Sequence, residues 1–87
     1  MYFVELSIKA QKFIEKLDPN VQDRILTRLK KLEMNPIPKD SKFIGRLEGD
    51  KIFRYRIGDF RALYKVKEQD KLVLIAKIDK RPRIYHR

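Results

Sequence analysis

Cysteine is absent from these 87 residues and histidine occurs once. The missing cysteine excludes disulfides and thiolate metal sites. The lone histidine cannot build a histidine metal cluster, and no run of acids has the spacing of a calcium loop, so neither a metal nor another cofactor is expected. No apolar stretch approaches the roughly 20 residues of a membrane span, so no membrane association is expected. Met1-Tyr2-Phe3-Val4-Glu5 lacks the basic start and long apolar segment of a secretory signal, which makes the cytoplasm the expected location. Internal repeats, low-complexity segments and flexible linkers are also missing. A chain of this length holds one modest core, so residues 1–87 are expected to form a single domain.

Positive charge is what the chain has in excess. Lys and Arg total 22 against 12 Asp and Glu, a net charge of +10. The excess is uneven: residues 1–40 hold 8 basic and 6 acidic side chains, residues 41–87 hold 14 and 6. Solubility alone would explain an even excess. A lopsided one points to a polyanion held by the second half, with nucleic acid the first candidate and an acidic protein the second.

The first half reads as a strand and two helices. Val4 and Leu6 alternate around Glu5 as a short strand. Ser7 is placed to cap a helix running to about Leu17, with Ile8, Phe13, Ile14 and Leu17 as its apolar stripe. Asp18-Pro19 opens a second helix, with a capping acid and then proline at the first helical position. Its stripe is Val21, Ile25, Leu26, Leu29 and Leu32, and it ends near Asn35 because Pro36 disfavours helix in the residue before it. The two are expected to form an antiparallel hairpin whose stripes face a core.

From residue 42 the apolar period falls to two. Phe43 to Leu47, Ile52 to Ile57, Phe60 to Lys67 and Leu72 to Ile78 read as strands, with turns at Gly58-Asp59 and Glu68-Gln69-Asp70-Lys71. Glycine at the first central position suits a tight primed turn. The expected fold is α+β in two layers: an N-terminal strand, a helical hairpin, then an antiparallel β-meander.

Alternation sends Phe53, Tyr55, Ile57, Phe60, Ala62, Tyr64 and Val66 to the helices and leaves Arg54, Arg56, Arg61, Leu63 and Lys65 outside. The tight turn sets Arg56 opposite Arg61. Like charges across a ladder are destabilising by a few tenths to about 1 kcal/mol, which makes sense if an anion sits between them. The plainer reading is a solvated outer face, but such a face usually mixes signs, and no acid alternates with these arginines. After the last strand, Lys80, Arg81, Arg83 and Arg87 cluster near Tyr85 and His86. Tyrosine can stack on a base and histidine can move a proton near neutral pH; equally, Tyr85 can plug the core and His86 can be a frayed end.

Leu47-Glu48-Gly49, the run from Phe53 to Tyr64, and Asp79-Lys80-Arg81 with Tyr85 resemble the RelE/ParE toxin superfamily across nearly the whole chain. That resemblance implies a toxin neutralised by an antitoxin, with RelE-type members acting as ribosome-dependent messenger-RNA endonucleases. By position it gives Arg54 and Arg56 the role of two RNA-holding lysines, Arg61 a phosphate contact, Arg81 transition-state stabilisation and Tyr85 base stacking. Lys65, Lys80, Arg83 and Arg87 become further RNA contacts. Glu48 and His86 stand nearest to the carboxylate and histidine that some members use. The departures are arginine at both lysine positions and a stretch between Arg81 and Tyr85 that is two residues shorter.

Three functions follow from the resemblance. One is a metal-independent nuclease acting on messenger RNA at the ribosome, in which the 2′-hydroxyl attacks the adjacent phosphate. Another is a ParE-like gyrase inhibitor. The last is a non-catalytic homologue that only binds its antitoxin, on operator DNA through that partner. The antitoxin is expected to be acidic or amphipathic.

Overall fold

The computed structural model describes residues 1–80. The chain runs β1 (Phe3–Leu6), α1 (Ile8–Glu15), α2 (Pro19–Lys30), a 3₁₀ turn (Lys31–Glu33), then β2 (Ser41–Leu47), β3 (Asp50–Ile57), β4 (Phe60–Lys67) and β5 (Leu72–Lys80). This is the expected α+β order. The five strands form one sheet in the order β1-β5-β4-β3-β2. The meander β2 to β5 is antiparallel throughout, while β1 joins the far edge parallel to β5, with Val4 beside Val73 and Leu6 beside Ile75.

Local chemistry explains the helix ends, with corrections. Ser7 caps α1 as expected: its Oγ accepts from the Ala10 N–H at 3.0 Å and donates to the Ala76 carbonyl at 2.8 Å, fastening the helix to β5. Asp18 occupies the cap position of α2 but makes no side-chain cap bond there. Gln22 instead reaches back to the Leu17 carbonyl at 2.9 Å, closing the end of α1 from α2. The last turn before Asn35 tightens to 3₁₀ rather than continuing α2.

The helices cover one sheet face. The core holds Ala10 and Ile14 from α1, Ile25 and Leu29 from α2, Leu32, and the inward residues of β3, β4 and β5. Two expected stripe residues face outward: Ile8 is 71% exposed and Leu26 40%. Ala10, outside the expected stripe, is fully buried in the core instead. Phe53 stacks on Tyr64 with ring centres 5.6 Å apart, and Phe13 meets Phe60 edge-on at 6.0 Å.

Gly58 has φ +59° and opens the β3–β4 turn as expected. The β2–β3 turn is equally tight: Glu48 and Gly49 both have positive φ, 54° and 88°, between the partners Leu47 and Asp50. Glycine is at ease in that region, whereas a glutamate there costs about 1 kcal/mol or more. No described helix is long and apolar enough to cross a membrane.

Candidate nucleic-acid interface

The outer face of the β3–β4 hairpin carries the site. Arg56 pairs with Arg61 across the ladder, as the turn requires, and Arg54 pairs with Leu63. On the other side of β3, Lys42 of β2 stands opposite Arg54. Beyond β4, Asp79 of β5 stands opposite Arg61 and Lys77 opposite Leu63. Arg54, Arg56 and Arg61 thus share one open groove of about 500 Å³ with Lys39, Asp40, Ser41 and Lys42. Five cations and one carboxylate line it.

Composition and alternation do not single out Lys39 or Lys42, since the strand expected there starts at Phe43 and β2 begins at Ser41. Period two through Ser41-Lys42-Phe43 carries the signal: Phe43 packs edge-on against Phe53 at 5.6 Å, so Lys42 must face the arginines. Three polar ties fix the entrance to β2. The Tyr64 hydroxyl donates to the Pro36 carbonyl at 2.7 Å, and the Ser41 hydroxyl donates to the Pro38 carbonyl at 2.7 Å. Arg28 of α2 makes the third.

Arg28 lies over the Tyr55 ring, 4.9 Å from its centre, and donates to the Tyr55 hydroxyl at 3.3 Å. Its Nη2 donates to the Asp40 carboxylate at 3.1 Å and to the Arg56 carbonyl at 3.2 Å. The pair with Asp40 is too exposed to contribute much stability. Its effect is geometric. It draws the groove's one described acid toward α2 and holds the backbone of Arg56. Burial pushes the Tyr64 phenol up to about 12, so it stays a neutral donor to Pro36 at any physiological pH.

The other sequence-derived candidates fall elsewhere. Lys65 lies four residues along β4 from Arg61, about 13 Å away at strand rise, and pairs with Glu48 at 3.7 Å and Asp50 at 4.0 Å. Glu48 occupies the β2–β3 turn, six or more residues of strand from Arg56, about 20 Å away. That is beyond the hydrogen-bond reach a general base needs. Lys80 pairs with Phe60, which places it on the helix side of the sheet rather than with the arginines. Arg81, Arg83, Tyr85, His86 and Arg87 lie outside the described residues. The structure therefore brings together Arg54, Arg56 and Arg61, and adds Lys39 and Lys42 to them.

Such a groove can grip a phosphate. Guanidinium forks match two oxygens at once, and nearby lysines add charge without demanding an orientation. Clustered donors also stabilise negative charge that develops on phosphate oxygens during transfer.

Comparison with known proteins identifies the family and the fold. The family model described as "ParE toxin of type II toxin-antitoxin system, parDE" matches residues 4–85. A candidate RelE1 toxin of Methanocaldococcus jannaschii is 36% identical over 83 residues, covering 94% of this chain and 92% of its own. The fold superposes on the RelE–RelB complex of Pyrococcus horikoshii with a TM-score of 0.84 and 28% identity, covering 94% and 97% of the two chains. The RelBE2 toxin–antitoxin complex of Mycobacterium tuberculosis gives 0.76 and 26%, covering 92% and 91%.

Proposed function

The chain belongs to the RelE/ParE superfamily, as a toxin of a type II toxin–antitoxin system, and from that premise we propose that it is a ribosome-dependent endonuclease acting on messenger RNA. The observation that carries this reading is the groove: Arg56 faces Arg61, Arg54 faces Lys42, and the one acid on its described wall is drawn off by Arg28. An anion stabilises that arrangement, and a phosphodiester is the anion whose cleavage it suits.

The proposed reaction needs no reactant beyond the RNA. A 2′-oxygen forms a bond to the adjacent phosphorus as the bond from phosphorus to the 5′-oxygen breaks. The 2′ proton is taken up by a base and the leaving 5′-oxygen gains one, giving a cyclic phosphate and a 5′-hydroxyl. Arg54, Arg56 and Arg61 hold the phosphate and the charge that grows on its oxygens. Arginine is a poor proton donor, so these three act as electrostatic groups. Arg81 and Tyr85 take their roles from the family resemblance alone, at the transition state and on the base. Members of such systems act with an antitoxin, and the superposed complexes support an antitoxin as the partner of this chain.

The test is cell-free translation with added protein, mapping message ends by primer extension, with Arg56→Ala and Arg81→Ala beside the wild type. Cleavage of ribosome-bound message that vanishes with Arg56→Ala is the expected result. Intact message and normal translation would sink the proposal. The match to a ParE model favours one second reading, inhibition of DNA gyrase. In that case supercoiling by gyrase would fall on adding the protein while message stays whole.

A further inference from the structure

β1 pairs with β5 only over residues 72–75. Residues 76–80 of β5 run on past its end, beside α1, which Ser7 fastens to Ile75 and Ala76. Between α1 and this edge lies a shallow groove of about 260 Å³. Phe13 and Ile78 line it with Lys9, Lys12, Lys16 and Lys77, and Asp79 lies at its end. We propose that this groove is a second phosphate-backbone contact, engaging the stretch of RNA that leaves the arginine groove. The inference rests on the arginine groove being an RNA site.

Lys9, Lys12 and Lys16 recur at i, i+3 and i+7, one face of α1. Among the described residues, none of their ammonium groups has an ion pair or hydrogen bond, and Glu15 on the same helix comes within ion-pair distance of none of them. Like charges three and four apart on a helix are mildly destabilising, so an ordinary solvated face would intersperse acids. The one acid in the groove, Asp79, is held by Lys77 at 3.4 Å.

Position favours RNA over an acidic protein. Asp79 and Lys77 stand directly opposite Arg61 and Leu63 in the β4–β5 ladder. The Lys77 and Asp79 wall of the lysine groove therefore lies about one strand spacing, near 4.8 Å, from Arg61 and Leu63, with Lys9, Lys12 and Lys16 on the helix side of that β5 edge. A single polyanion that rounds the exposed β5 edge can touch both. The side chains divide accordingly: arginine forks where one phosphate must be gripped, lysine point charges where a backbone must only be held.

The test uses the intact protein and two non-cleavable 2′-O-methyl RNAs, about four and about fifteen nucleotides long, in anisotropy titrations across a salt series. The triple variant Lys9→Gln, Lys12→Gln, Lys16→Gln should bind the short RNA like the wild type. It should bind the long one about tenfold more weakly, with a salt slope shallower by about 2 for three lost contacts. The matching triple arginine variant should bind both as the wild type does. Equal affinity and slope for wild type and glutamine variant on the long RNA would overturn the inference and leave the arginine groove untouched. Failure of the wild type to bind either RNA would remove the groove reading itself, and this one with it. A polyglutamate peptide of equal charge is the control. If the glutamine variant lost that peptide as strongly as the long RNA, the surface would belong to an acidic protein.

Discussion

At the β3–β4 turn end of the sheet, Lys42, Arg54 and Arg56 have no described acid within ion-pair distance. At the opposite end, Lys51 meets Glu68 at 3.9 Å, Lys65 meets Glu48 and Asp50, and Lys67 meets Asp50 at 3.2 Å. The two ends draw on the same strands and on similar counts of cations. They differ in where the turn residues fall. The tight turn at Glu48-Gly49 delivers acids to one end, and the helical layer removes Asp40 from the other through Arg28. A basic count therefore says little about where an anion binds. The pairing of each cation decides it, and a part-buried pair such as Lys65–Asp50, with side chains 16% and 23% exposed, is screened less by salt than a surface one.

Four experiments would break or sharpen this contrast. The largest effect is expected from Arg56→Ala, which should lower message cleavage about 100-fold or more, near 3 kcal/mol of transition-state stabilisation. Lys65→Ala should lower it less than about threefold, since that side chain is already matched. Comparable losses in a single-turnover assay would erase the distinction between the ends.

Next in size is Arg28→Ala, which frees Asp40 to reach the arginines. Affinity for a short RNA should fall about tenfold, or 1.4 kcal/mol. Asp40→Asn added to it should recover most of that loss, as measured by titration. No recovery would mean that Arg28 acts through the Arg56 carbonyl and Tyr55 rather than through Asp40.

Tyr64→Phe removes the donor to Pro36 and should cost about 1 kcal/mol in denaturant unfolding. The buried phenol titrates higher in the folded chain, about 12, than its unfolded value of 10.0. Its contribution is thus fully present below pH 10 and is lost as pH rises through 12. The wild type should lose stability over that window, and Tyr64→Phe should lose less.

The smallest effect is expected from Asp50→Asn, which releases Lys67 and leaves Lys65 with Glu48 alone. RNA affinity should tighten about two- to threefold and the salt slope steepen by about 1. An unchanged slope would show that Lys67 stays out of reach of RNA even when unpaired.

Much of this was legible in the chain. The turn at Gly58 gave the Arg56–Arg61 pairing, because a two-residue loop permits one register. The proline at 36 marked where the helices end. The parallel placement of β1 was not legible, since Val4 and Leu6 would suit either edge of the sheet. Nor was the outward turn of Ile8, where helical period alone could not tell which side of the stripe would meet β5. Lys42 was not legible because it precedes the expected strand start at Phe43, and a register shift between Phe43 and Gly45 interrupts the alternation of β2.

Sequence by itself determined the order of elements, the inward set of aromatic and branched residues, and the facing arginines. All three follow from local periodicity and turn chemistry, which act over a few residues. Tertiary structure alone decided which cations remain unpaired. Arg28 reaches Asp40 and Arg56 from another layer, and Glu48 and Asp50 reach Lys65 across strands. Charge pairing depends on distances of a few ångströms between residues far apart in the chain, and no local pattern encodes those.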